Sequence, residues 1–250
     1  MLDVHNITLG YPGVTLVDGL SFAVNQGEIC AVIGPNGSGK STLMRTLLGV
    51  QPQAAGRIQW RDGASSASPN IAFLGQSTDM DQQFPMRVKD AVAMGAWQGL
   101  GFWTGIDRGK ADRIEYALAR TGLTKMADQP LYACSSGQLQ RCFFARAIVQ
   151  DAPVMLLDEP FSTIDQTTEA RLTDIIQEWR AEGRVVIIVL HDLSAVMHLA
   201  DKCLLLGNGR ASFGAVDATV TIDNLVAHQY LTETQAEWLS LLKQKGGGDA

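Results

Sequence analysis

The sequence predicts an α/β fold, a mostly parallel sheet with helical crossovers, and three observations predict it. Short apolar runs suited to buried strands alternate with helix-compatible stretches. A glycine-rich loop joins one of those strands to its helix. An interval of helical character separates the early strands from the late ones.

The elements follow in order. "LDVHNITLGY" and "VTLVDGLSFAV" carry short apolar alternations around "YPG", as two antiparallel strands around a turn would. "EICAVIG" is a buried-strand run, followed by the glycine-rich loop and the helical "KSTLMRTLLG". "GRIQW", the polar spacer "RDGASSASPN" and "IAFLG" supply two more strands, the second ending beside Gln76. Residues 77–150 change character: "VKDAVAMGAW", "DRGKADRIEYALARTG" and "GQLQRCFFARAIVQ" read as helices broken by glycine-rich loops and Pro130. Strands return in "PVMLLDE" and "RVVIIVL", with a helix over Gln166–Ala181 between them. "CLLL", "GNGR" and "ASFG" form a terminal hairpin, Thr221–Leu242 supply one or two closing helices, and "KQKGGGDA" is a frayed tail.

Composition narrows the function classes. With 250 residues the chain holds one large domain or two modest ones, well above the size at which a core becomes marginal. The formal charge of -6 argues against a basic nucleic-acid footprint and leaves local phosphate binding open. No run of eighteen or more apolar residues is present, and "MLDVHNITLG" lacks a basic-then-apolar leader, so a cytoplasmic chain is expected, with any membrane role reached through a partner. Cys30, Cys134, Cys142 and Cys203 show no CxxC spacing and suit reduced, buried thiols. His5, His191, His198 and His228 form no compact ligand pattern.

The strongest chemical signal is "GPNGSGKS", which fulfils G-x-x-x-x-G-K-S between a strand and a helix. Gly34, Gly37 and Gly39, with Pro35, Asn36 and Ser38 between them, allow a tight path whose N–H groups converge on phosphate. Lys40 reaches the β and γ phosphates, Ser41 offers a hydroxyl to Mg2+, and Thr42 supports nearby phosphate oxygens. "VMLLDEP" ends a strand in two carboxylates that point differently: Asp158 suits Mg2+ through water, and Glu159 suits polarising an attacking water. Gln76 is a neutral amide at a strand end, able to bond water or a metal ligand. His191 closes "VVIIVL", where an imidazole can contact phosphate and hold water geometry. In "FSTID", Ser162 and Asp165 suit a loop at a subunit interface, and Tyr11 offers a ring to a nucleobase. "ACSSGQLQR" stays open between a serine-rich helix start, a cysteine site and half of a nucleotide site.

These motifs, in this order, resemble the ATP-binding cassette proteins over nearly the whole chain. The resemblance implies a P-loop NTPase with a RecA-like core, an N-terminal antiparallel β subdomain and an inserted α-helical subdomain at about residues 77–150. It makes residues 1–232 the ATPase domain and 233–250 a helix and flexible tail. Gly34 to Ser41 is similar to the Walker A loop, Gln76 to the Q-loop residue, and Ser135, Ser136, Gly137 and Gln138 to the signature. Asp158 and Glu159 resemble the Walker B end, Ser162 to Asp165 the D-loop, His191 the switch histidine and Tyr11 the adenine-stacking aromatic. Implied are ATP and Mg2+ as ligands and a head-to-tail homodimer in which one chain's Walker loop and the other's signature hold each ATP. The familiar signature reads L-S-G-G-Q; here Cys134 and Ser136 depart from it, and a weakened or regulatory composite site is the competing expectation.

The "FPMRVKDAVAMG" stretch followed by Trp97, Phe102 and Trp103 resembles the surface that receives a permease, in the pattern of metal and metal-chelate importers of the zinc and manganese group. The implied role is the ATPase subunit of a zinc or manganese importer, held at the cytoplasmic face of the membrane by its permease and served by an extracytoplasmic metal-binding protein. Alternatives are an iron-chelate or other solute importer, an exporter, and a soluble non-transport cassette ATPase.

Overall fold

The first strand, β1 (Leu2–Tyr11), is set by alternation with one slip. Leu2 and Val4 are buried, then Ile7 and Leu9, so the period of two breaks once between them. In the pairing with β2 the register shifts at this break, between Val4 and Ile7, and again between Ile7 and Leu9 and between Leu9 and Gly10; Asn6, at φ 50, donates its backbone N–H to Ser21 Oγ at 2.8 Å. β2 (Val14–Val24) pairs antiparallel with β1, and β4 (Arg57–Trp60) pairs on its other side.

The computed structural model describes residues 1–60, 70–75, 85–97 and 107–238. They divide into two units, Met1–Ser66 with Val189–Ala250, and Ala67–Ile188. The first unit contains the β2-β1-β4 sheet and a second group of strands. There β3 (Ile29–Ile33), buried at every position, pairs parallel with β8 (Lys202–Gly207), which turns back antiparallel into β9 (Arg210–Ala215). Asn208 and Gly209, at φ 51 and 69, make that turn with the two positive angles a tight hairpin prefers. Helix α1 (Lys40–Leu47) follows β3 through the glycine-rich loop; α6 (Leu193–Leu199), α7 (Val216–Thr219), α8 (Ile222–Ala227) and a helical stretch from 233 to 238 lie in the later segment. Phe22 and Phe213 meet at 5.6 Å between ring centroids, joining the strand groups of this unit.

The second unit holds β5 (Ile71–Leu74), parallel to β6 (Val154–Asp158), with β7 (Val185–Val189) beside β6. Its helices are α2 (Val88–Ala93), α3 (Arg108–Arg120), α4 (Ser136–Gln150) and α5 (Gln166–Ala181). The expected "VKDAVAMGAW" helix is α for its first part only and tightens into a 3-10 turn over Met94–Trp97. Helix α4 packs on α2 and α3, and its Phe144 stacks on Trp179 of α5 at 5.9 Å with planes 7° apart. Both rings are buried, so this apolar contact joins α4 to α5.

Candidate nucleotide site

The first unit carries the phosphate-type loop. Gly37 and Gly39 sit at φ 80 and 104, a path closed to most side chains, and Gly39 is the residue before α1. Helix α1 starts with no side-chain cap and no acidic residue in its first turn. Helix α7 also lacks a side-chain cap, whereas α3, α4, α5, α6 and α8 are capped by Asp107, Ser135, Asp165, Asp192 and Thr221. The first amides of α1 thus have no capping side chain, at the positive end of the helix. Lys40 is buried, and its ammonium folds back to donate to the carbonyls of Gly34 at 2.8 Å and Pro35 at 3.0 Å. The Ser38 hydroxyl is buried with no hydrogen-bond partner among the described residues, an unmet polar group inside the loop.

Tyr11 and Thr42 meet in the same unit. Their hydroxyls lie 2.8 Å apart, and half of Tyr11 stays exposed. The sequence offered Thr42 to phosphate oxygens; in the structure its hydroxyl engages the phenol. His191 follows β7 with its side chain exposed, between Leu190, whose N–H donates to Val32 O at 3.2 Å, and Asp192, whose carboxylate caps α6.

The second unit carries the signature, the carboxylates and the loop between β6 and α5. Asp158 ends β6 and is buried, while Glu159 turns to φ 52, a left-handed conformation uncommon for a residue with a side chain. The following carbonyl, Pro160 O, accepts from the buried Gln140 Nε2 of α4 at 3.1 Å. Sequence reasoning missed Gln140; its signal was a polar residue inside the apolar run "LQRCFF".

"ACSSGQLQR" begins α4. Ser135 Oγ accepts from Gln138 N at 3.3 Å and Gln138 Oε1 accepts from Ser135 N at 2.8 Å, a reciprocal capping box. The serine-rich stretch is thus a helix start, and Ser135 and Gln138 cap each other here. A Cβ on Gly137 would meet Thr163 O at 2.7 Å, so the loop before α5 crosses directly over the signature backbone. Ser136 is exposed at the first helical position and has no positive φ, so the serine needs none of glycine's freedom there. Asp165 caps α5, accepting from Thr168 N at 3.0 Å and Thr168 Oγ1 at 2.8 Å, and these bonds hold its carboxyl below the ordinary carboxylate value.

Gln76, Phe102 and Trp103 lie outside the described residues; Trp97 is described and exposed. The four cysteines are free and buried. Burial pushes the thiols of Cys142 and Cys203 up to about 12 and raises those of Cys30 and Cys134 as well. Among the described residues no group of three or more His, Cys, Asp or Glu is placed to hold a metal ion, and no helix is long and apolar enough to cross a membrane.

Comparison with known proteins agrees with this geometry. The family described as ABC transporter matches residues 17–162. The manganese transport system ATP-binding protein of Bacillus subtilis is 31% identical over 98% of this chain and 96% of its own length. The zinc transport system ATP-binding protein of Treponema pallidum is 33% identical over 88% of this chain and 83% of its own. A solved metal-chelate type ABC transporter in an inward-facing conformation superposes with a TM-score of 0.80 at 29% identity, covering 92% of this chain and 89% of that one. The family match and the extent of these likenesses show that this chain belongs to the ABC transporter family and has the ATPase cassette fold.

Proposed function

We propose that this chain is the ATP-hydrolysing subunit of an importer for a divalent metal, zinc or manganese, working on a partner permease at the cytoplasmic face of a membrane. The observation that carries the ATPase part is the loop before α1, where uncapped amides, the buried Ser38 hydroxyl and the Lys40 ammonium converge. When ATP binds, Lys40 exchanges the Gly34 and Pro35 carbonyls for β- and γ-phosphate oxygens, a stronger, charge-assisted contact. The backbone from Gly34 through Thr42 cradles the phosphates, and Tyr11 stacks on the base. Ser41 and Asp158 are hard oxygen donors of the kind Mg2+ takes, and Gln76 is a neutral one; these residues would hold Mg2+, which would supply neutralisation of the phosphate charge. Glu159 polarises the attacking water and His191 maintains its line of attack on the γ phosphate. Ser135, Ser136, Gly137 and Gln138 of a second copy, with Asp165, complete the site head to tail, the helix start of α4 lending its positive end.

Cargo follows from the relatives whose names state manganese and zinc transport. A groove of 670 Å3 between α2 and α3, lined by Lys89, Asp90, Ala93, Ile114 and Leu118 among others, supports docking of the permease on the helical segment. The metal itself is handled by the permease and an external binding protein.

Two measurements test the proposal. Glu159→Gln should leave ATP binding intact and cut turnover by roughly a hundredfold or more; a wild-type chain without ATP turnover removes the enzyme reading. The assembly with permease in lipid should hydrolyse ATP faster when its binding protein carries zinc or manganese. Stimulation by an iron chelate instead, with neither metal active, replaces the cargo assignment.

A further inference from the structure

His191 is held along its backbone from both sides, and a third contact comes from far along the chain. Tyr230 Oη donates to the His191 carbonyl at 2.5 Å, across 39 residues. The segment that delivers the phenol is built for that placement. Helix α8 ends in a Schellman motif: Tyr230 N donates to Leu225 O at 2.8 Å and Gln229 N to Val226 O at 2.9 Å. Gln229 occupies the left-handed position at φ 56, where glycine is usual, so the turn is kept at some cost in backbone energy.

His228, immediately before it, anchors the turn. It is buried, with Nδ1 2.8 Å from Asn224 O and Nε2 3.3 Å from Ser212 Oγ. Its backbone crosses β8 so closely that a Cβ on Gly207 would meet His228 O at 2.0 Å. The turn is therefore pinned to β8 and β9, and the phenol has a fixed origin. Burial, then the nearby Asp192 carboxylate, raises the Tyr230 phenol above its ordinary value, so it remains a donor throughout the working pH range.

We propose that Tyr230 is a positioning residue for His191: its phenol fixes the switch-loop carbonyl, and through it the imidazole, so that the segment after α8 sets the rate of ATP turnover without touching nucleotide. With Leu190 held by Val32 O and Asp192 committed to capping α6, the Tyr230 contact leaves the loop without a freely rotating peptide at its central residue. The kinetic consequence rests on His191 acting in ATP turnover as proposed above; the positional one does not.

Tyr230→Phe in the full chain separates the two. The ring and its packing stay while the donor is lost, and a thermal unfolding midpoint checks that the fold is kept. Turnover should fall roughly three- to tenfold in kcat with KM for ATP unchanged, the size expected for one neutral hydrogen bond. The carbon-13 resonance of the His191 ring in nucleotide-free protein should move or broaden. para-Aminophenylalanine at position 230, which returns an N–H donor at the same reach, should restore both readouts and also serves if the phenylalanine variant does not fold. An unmoved His191 resonance overturns the proposal, as does a kcat within about twofold of wild type or a loss the amino variant fails to restore. If the wild-type chain turns over no ATP, the functional reading fails, and the resonance alone still decides whether Tyr230 holds the loop.

Discussion

The hydroxyls of Tyr11 and Thr42 lie 2.8 Å apart, tying the last residue of β1 to the first turn of α1. The ring proposed to stack on the base is thereby referenced to the loop proposed to hold the phosphates. Tyr11→Phe keeps the ring and removes the tether. ATP affinity should fall roughly two- to tenfold by calorimetry, while affinity for inorganic triphosphate, which has no base, stays unchanged. Equal losses for both ligands would mean that the tether supports the phosphate loop alone.

The neighbouring signature positions should respond in opposite ways. Gly137→Ala places a Cβ 2.7 Å from Thr163 O and must displace the crossing loop, at a cost of about 1–3 kcal/mol in denaturant unfolding. Ser136→Gly, at an exposed position with no demand on φ, should change stability by less than about 1 kcal/mol. Any change in ATP turnover for Ser136→Gly then reports on the site and not on folding. An unchanged rate and affinity would remove Ser136 as a brake.

Asp151 should give the second unit part of its acid sensitivity. Partial burial raises its carboxyl, but Arg184 at 2.6 Å and Arg113 at 2.5 Å outweigh that and hold it below the ordinary 3.8. A depressed carboxyl contributes stability that is present above 3.8 and lost as pH falls through the lower folded value. Asp151→Asn keeps a residue tolerant of the left-handed φ of 54 and removes the charge. Its unfolding free energy at neutral pH should drop by about 1 kcal/mol, a figure already reduced for solvent screening. The gap to wild type should close below that pH window.

The cysteines should be silent in the native protein. All four thiols are buried and shifted upward, Cys142 and Cys203 to about 12, so little thiolate exists at pH 8. An alkylating reagent followed by mass spectrometry should label none of them before denaturation and all of them after. Rapid native labelling of Cys134 would contradict its packing role beside the signature.

Much of the fold was legible because local periodicity and spacing carry it. The slip from Leu2 and Val4 to Ile7 and Leu9 is written in the sequence, although its cause, a bulge at Asn6, appears only once β2 is paired alongside. "GNGR" announced its hairpin through Asn208 and Gly209. The helix α7 was missed: four residues after a strand are too few to show a helical period. In "ACSSGQLQR" the capping box was legible as S-x-x-Q, whereas the reason for Gly137 was not, since Thr163 lies beyond α4 and β6.

By itself the sequence determined the chemistry on offer: a glycine-rich loop with Lys40 and Ser41, a strand ending in Asp158 and Glu159, and a serine-capped helix. Those depend on residue type and on separations of a few positions, which a linear chain displays. Tertiary structure alone decided which groups hold them: Thr42 for Tyr11, Pro160 O for Gln140, and the His191 carbonyl for Tyr230, across 31, 20 and 39 residues. Such contacts arise where packed strands and helices bring distant segments within hydrogen-bond reach, and no local pattern in the chain records that approach.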